Sequence, residues 1–129
     1  TYAMLSDGEC NEGSVWESAM LASSLKVNKL TAIIDYNKWQ ATGRSKEIMN
    51  LEPLGEKWKT FGWDVQEIDG HNFQEIDKSF NLTIEQEKPS LIIAHTIKGK
   101  GVSFMEDNNN WHYKTPNEIE LEKALSELN

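Results

Sequence analysis

The sequence contains one cysteine, Cys10, so no internal disulfide can form. That usage suits a reducing compartment, and cytoplasmic location is the expectation. Long apolar runs are missing too: none approaches the ~20 residues that span a bilayer. The chain opens on Thr1 with neither an initiator Met nor a signal-like segment, and so reads as a fragment or a processed piece. Positive charge is scarce, with 13 Lys and Arg against 21 Asp and Glu and a net charge of −8. A nucleic acid or an anionic membrane is therefore a poor partner. A bound cation or a local lysine could still invert the field for one anionic ligand. Cys10, His71, His95 and His112 form no close pair of the kind zinc requires. A glycine-rich dinucleotide fingerprint is also absent.

What remains is one domain's worth of chain, residues 1–129, large enough to bury a core. Apolar runs at 2–5, 30–35, 63–68 and 91–94 read as four buried strands. Amphipathic stretches read as helices over 12–25, 51–61 and 72–80, with a last one opening at Thr115-Pro116. Pro53 falls in the first turn of the second of these, and Gly62 is its stop. Leu54, Trp58 and Phe61 form its apolar stripe. Asn72 and Glu75 have capping-box spacing. The last helix takes Thr115 as its cap and carries an apolar stripe of Ile119, Leu121, Leu125 and Leu128. Residues 36–46 read as a long polar loop, 85–88 as a charged connection and 106–110 as irregular. Strands alternating with helices give a three-layer α/β/α arrangement around a mainly parallel sheet. Ligands in such sheets bind at the carboxyl ends of the strands.

Two motifs sit at such ends. Ser6-Asp7-Gly8-Glu9 follows the first strand, and Tyr36-Asn37-Lys38-Trp39 follows the second. A strand–helix–strand crossover carries both to one edge of the sheet. There the Asp7 carboxylate and the Asn37 amide oxygen can converge on one hard cation beside a glycine turn and a helix start. The plainer reading of Asp7-Gly8 is a common turn after a strand; the spacing to Asn37 favours the ligand reading. Cys10 lies near a helix start, but no base partners it. His71 reads as part of a turn, and His95 as a satisfied core residue of a buried strand.

The Asp-Gly…Asn spacing resembles the thiamine-diphosphate motif. The string from Ser6 through Glu17, Asp69-Gly70-His71, Lys98-Gly99-Lys100-Gly101 and Trp111-His112 together resemble the transketolase family in order and spacing. Among its members the chain is most similar to the N-terminal subunit of split transketolases. The resemblance implies Asp7, Asn37 and the Trp39 backbone oxygen as Mg²⁺ ligands. Side-chain identity at position 39 should then matter little. It places Asp7, Gly8, Glu9, Asn37, Lys98 and His112 at thiamine diphosphate, with His112 handling substrate protons. Glu12 matches an interface glutamate that links two active sites; alternatively it is an acidic residue favouring a helix start. Lys114 could reach a substrate phosphate. Ser6 stands where Gly is usual, a small and tolerable change.

The implied reaction moves a two-carbon ketol unit from a ketose phosphate to an aldose phosphate. The pyrimidine-binding domain or subunit, which this chain lacks, would be the partner within a homo- or hetero-oligomer, and the chain alone would be inactive. The alternatives are another thiamine-diphosphate enzyme, such as a deoxyxylulose-phosphate synthase or a 2-oxo-acid dehydrogenase component, and a non-catalytic subunit of the same fold.

Overall fold

A computed structural model describes residues 1–84 and 86–128. Four parallel strands make the sheet: β1 (Tyr2–Ser6), β2 (Thr31–Tyr36), β5 (Asp64–Asp69) and β6 (Ser90–His95), in the spatial order β1-β2-β6-β5. Between β2 and β5 the chain forms a small antiparallel hairpin, β3 (Trp39–Gln40) with β4 (Gly43–Arg44). The short helix α2 (Ser45–Ile48) follows the hairpin. Helices α1 (Gly13–Ser24), α3 (Leu54–Thr60) and α4 (Phe73–Thr83) supply the crossovers, and α5 (Glu118–Leu128) closes the chain.

Strand order decides which face each helix covers. The crossovers from β1 to β2 and from β2 to β5 run the same way across the sheet. The crossover from β5 to β6 runs back. With right-handed connections, α1 and α3 share one face and α4 takes the other. The side chains agree. Trp63 Nε1 donates to the Ala19 carbonyl of α1 at 2.9 Å, and Trp58 of α3 meets Trp63 edge-on at 4.8 Å. On the opposite face Phe80 of α4 meets Tyr2 edge-on at 5.5 Å.

β2 and β6 are the central strands, and Ala32, Ile34, Leu91, Ile92 and Ile93 are buried there. A strand covered on both faces must be apolar along its length. β1 departs from that expectation. It is an edge strand, and Tyr2 and Met4 are each 64% exposed. Only its Ala3–Leu5 side faces the α1 and α3 layer.

Several local expectations move. The polar stretch 36–46 is not a plain loop but contains the hairpin and the start of α2. The second predicted helix begins at Leu54, not at 51, with Pro53 as its cap residue in extended backbone. Gly62 does end it, at φ +95°. Asn72 caps α4 as expected, accepting from the amides of Gln74 and Glu75. The last helix is capped by Asn117 rather than Thr115. Asn117 Oδ1 accepts from the Glu120 amide at 2.9 Å, and Glu120 returns the bond to the Asn117 amide at 3.0 Å. Its predicted stripe is uncovered: Ile119 is 80% exposed, and only Ala124 of this helix is buried. In the charged connection Glu87 and Lys88 are exposed; Glu85 lies outside the described residues.

Candidate functional site at the carboxyl edge of the sheet

The register of β1 and β2 pairs Ser6 with Asp35. Asp7 and Asn37 therefore leave the sheet side by side, at its carboxyl edge. Three features shape the turn after β1. The Glu9 carboxylate accepts from the Ser6 amide at 2.7 Å and from the Ser6 hydroxyl at 3.1 Å. The Ser6 hydroxyl in turn accepts from the Glu9 amide at 3.2 Å. So the serine at the unusual position is used, and the Glu9 carboxylate is spent on closing the turn. A 3₁₀ turn over Glu9–Asn11 then leads into α1, pinned by Trp16 Nε1 donating to the Cys10 carbonyl at 2.8 Å.

Asp7 is 0% exposed. Its Oδ2 accepts from the Ser45 hydroxyl at 2.7 Å, while its Oδ1 is buried with no hydrogen-bond partner. Burial pushes the carboxyl above the usual range, against the opposing pull of Ser45 and of the Gly8 and Lys38 amides; nearby Asp35 adds to the rise. An unpaired buried carboxylate oxygen costs several kcal/mol when it meets no cation, on the order of that for other buried charges. Gly8 follows in ordinary helical backbone, φ −63°.

On the neighbouring strand end, Asn37 Oδ1 accepts from the Trp39 amide at 2.9 Å. Lys38 between them adopts φ +68°, a strained conformation for a residue with a side chain. The Ser45 amide donates to the Lys38 carbonyl at 3.1 Å. Ser45 thus holds both strand ends, through its hydroxyl and its amide. Sequence reasoning missed it, since nothing local relates residues 38 positions apart.

A cleft of about 390 Å³ opens over these strand ends. Gly8, Glu12, Asn37, Trp39, Lys98 and His112 all line it, together with Ser6 and Glu9. Lys98 begins the loop after β6, and His112 ends a 3₁₀ turn over Asn109–His112. Glu12 is exposed at the rim; it caps α1 from outside, with no side-chain bond to it. A larger cleft of about 540 Å³ shares the hairpin and is lined by Tyr36, Lys38, Ser45, Glu52 and His95. Its ionisable groups are already matched. The Tyr36 hydroxyl donates to Glu52 at 2.6 Å, and His95 pairs with Glu67 at 2.9 Å. The smaller cleft is the better candidate, because it gathers the Asp-Gly turn and both strand ends.

Other sequence candidates resolve differently. His95 is not a core residue; its ring is half-exposed beside Glu67. His71 accepts from the Ile97 amide at 2.8 Å and so ties the turn after β5 to the loop after β6. Lys114 is engaged, its ammonium paired with Glu120 and 4.3 Å above the Trp111 ring. Cys10 is 1% exposed, and burial, with Asp7 and Glu9 nearby, pushes its thiol up to about 12. A thiol so protonated is a poor nucleophile. The native protein should resist iodoacetamide at pH 8 and react only on unfolding; rapid native labelling would contradict this geometry.

Known proteins share this architecture. The whole of residues 1–128 matches the family described as "Transketolase, thiamine diphosphate binding domain". One of the two subunits of the apulose-4-phosphate transketolase of Phocaeicola vulgatus is 42% identical over 129 residues, covering 99% of this chain and 46% of that protein. The 6-deoxy-6-sulfo-D-fructose transketolase subunit SqwG of a Clostridium species is 45% identical over 128 residues, again covering 46% of the relative. The chain thus spans about half the length of these curated relatives. The crystal structure of Campylobacter jejuni transketolase superposes with a TM-score of 0.93 at 29% identity, over 98% of this chain and 20% of that one. With its parallel sheet, its Asp-Gly turn and a match along 1–128, the chain belongs to the transketolase thiamine diphosphate binding domain family.

Proposed function

We propose that residues 1–129 form the C-terminal part of the diphosphate-binding domain of a transketolase, of the kind divided between two subunits. In this reading the cleft over β1 and β2 holds thiamine diphosphate through Mg²⁺. The observation that carries it is the buried Asp7 carboxylate with one oxygen unpaired. Beside it stand a neutral amide oxygen, Asn37, and the Trp39 backbone carbonyl, and hard oxygen donors of this kind are what Mg²⁺ takes. Thiamine diphosphate, when bound, supplies the carbanion chemistry of ketol transfer.

The chain's own residues would bind and orient. Asp7, Asn37 and Trp39 would hold the cation. Lys98, a cation on the cleft wall, would attract the diphosphate, and the Glu9 carboxylate would keep the Asp-Gly turn closed. His112 on the same wall carries an imidazole, the side chain suited to moving a proton at neutral pH. A ketose phosphate and an aldose phosphate would be the substrates. The pyrimidine-binding subunit would be the partner, with Glu12 at the rim as its contact. Calorimetric titration of Mg²⁺ and thiamine diphosphate into the full-length protein with its partner subunit tests the reading. Saturable heat that requires both ligands is expected; no heat would overturn it.

Gly8 gives a second test. A Cβ there would meet Gln40 Cγ at 3.5 Å and Ser6 Oγ at 3.7 Å, which are ordinary contacts. The backbone is already helical, so Gly8→Ala should fold normally and even gain roughly 0.5 kcal/mol. Its methyl would intrude on the cleft instead. Crowding worth ~1–3 kcal/mol corresponds to a loss of about 5- to 150-fold in thiamine diphosphate affinity. Unchanged affinity in a folded variant would place the diphosphate elsewhere.

A further inference from the structure

The Trp39 side chain is committed, contrary to the expectation that only its backbone matters. Its indole Nε1 donates to Asp107 Oδ1 at 2.7 Å. The Arg44 guanidinium lies 3.7 Å over the same ring and grips the Asp107 carboxylate with both nitrogens, one of them at 2.7 Å. Asp107 itself sits at φ +53°, and its amide donates to the Lys98 carbonyl at 2.8 Å. One acidic residue therefore joins three pieces of the cleft: the hairpin strand that begins at Trp39, the strand that ends at Arg44, and the loop that starts at Lys98. Asn109 reinforces the join, its Nδ2 donating to the carbonyls of Gln40 and Ala41 at 3.0 and 3.2 Å.

A single exposed ion pair contributes ~0–1 kcal/mol. This one is bidentate, stacked on an aromatic face and shared with an indole donor, which fixes geometry as well as energy. Without it the two-residue strands of β3 and β4 have little to hold them, since an isolated hairpin is marginal in water. We infer that Asp107, through its clasp on Arg44 and Trp39, is a positioning residue for the cofactor cleft, fixing the Trp39 backbone and Lys98 relative to Asp7.

This rests on the reading of the Asp7 cleft as the thiamine diphosphate site. It is separable from it, because it concerns how much affinity the clasp confers and not whether the cofactor binds. Asp107→Gly is the informative variant. Glycine accepts φ +53° without strain, so the turn persists and only the clasp is lost. Thiamine diphosphate is titrated with Mg²⁺ into the full-length protein with its partner subunit, for the wild type, Asp107→Gly, Arg44→Met and the double variant. Asp107→Gly is expected to raise Kd about 10- to 100-fold, the range for groups that orient a ligand's direct contacts. The melting temperature of the unliganded protein should change little, and kcat at saturating cofactor should stay within about twofold of wild type. The double variant should be no worse than Asp107→Gly alone, since both remove one coupled unit. Asp107→Asn tolerates the same backbone and can still accept from Trp39, so it should recover part of the affinity. If Asp107→Gly binds within about twofold of wild type, or if the two single losses simply add, the positioning role is overturned. If the wild type gives no heat, it is the cofactor reading that fails.

Discussion

Asp7→Asn is expected to leave the protein folded and to weaken Mg²⁺-dependent binding of thiamine diphosphate by about 100-fold or more, at or beyond the upper end of losses for perturbed metal sites. The amide keeps an oxygen for the Ser45 hydroxyl, which now bonds Asp7 Oδ2 at 2.7 Å. What it loses is the charge of a carboxylate whose other oxygen is buried and unpaired. A cation is what would compensate that charge. The pH dependence follows with a definite sign. Burial raises the Asp7 carboxyl above its ordinary range in the folded state. The stability tied to this group is fully present below the ordinary aspartate range. It is lost as pH rises through the raised value, because the unfolded chain releases its proton first. Without divalent cation, the melting temperature of Asp7→Asn relative to wild type should therefore shift in the variant's favour between about pH 4 and neutrality. Adding Mg²⁺ and thiamine diphosphate at neutral pH should stabilise only the wild type, since a ligand stabilises the state that binds it. Equal ligand-induced stabilisation of the two proteins would remove Asp7 from the site.

The strand ends that frame this carboxylate were readable because the chemistry behind them is local. β2 and β6 are continuous apolar runs, which only a doubly covered strand tolerates. Asn72 and Glu75 sit at the one spacing that lets each satisfy the other's amide. Gly62 stops α3 for want of a Cβ. Where the reading slipped, the deciding interactions were distant or absent from the chain's own pattern. The hairpin strands are two residues each, too short for alternation to show. Arg44 and Asp107 are 63 positions apart and meet only because β2 and β6 are neighbours. The last helix had two candidate caps. Asn117 prevailed over Thr115 because Glu120 stands three residues beyond it and closes the box from both sides. The exposed Ile119, like Met4 on the edge strand, illustrates a further limit: periodicity tells which face is apolar, not whether anything in the chain covers it. The family likeness named Asp7, Asn37, Lys98 and His112, and the fold brings the cleft linings among them to one place. It gave no hint of Ser45 or Asp107, whose work is to hold the others.

The loop after β6 carries the second large effect. Gly99 adopts φ +73°, and a Cβ there would lie 2.5 Å from the Met105 carbonyl oxygen and 2.7 Å from its carbon. Both obstacles are backbone, so no rotamer change relieves them. Gly99→Ala should cost about 3 kcal/mol, combining ~1–2 for a left-handed residue with a side chain and ~1–3 for the clash. Gly101 makes a useful contrast. It also has positive φ, but its Cβ would meet the tip of Leu128 at 3.0 Å, a flexible side chain that can turn aside. Gly101→Ala should therefore cost less than Gly99→Ala. The two differ in reach as well. Around Gly99 the chain folds back so that the Asp107 amide bonds the Lys98 carbonyl and the Val102 amide bonds Gly99 itself at 3.2 Å. Forcing Gly99 and Met105 apart would pull Lys98 from the cleft wall and release the Asp107 clasp together. Gly99→Ala should thus lose thiamine diphosphate affinity along with stability. Its loss should appear in chemical denaturation, or as faster hydrogen exchange of the amides of Val102, Met105 and Asp107 if the loop opens alone. A variant unchanged in both measurements would mean that the loop has room for a methyl group that this close backbone approach denies it.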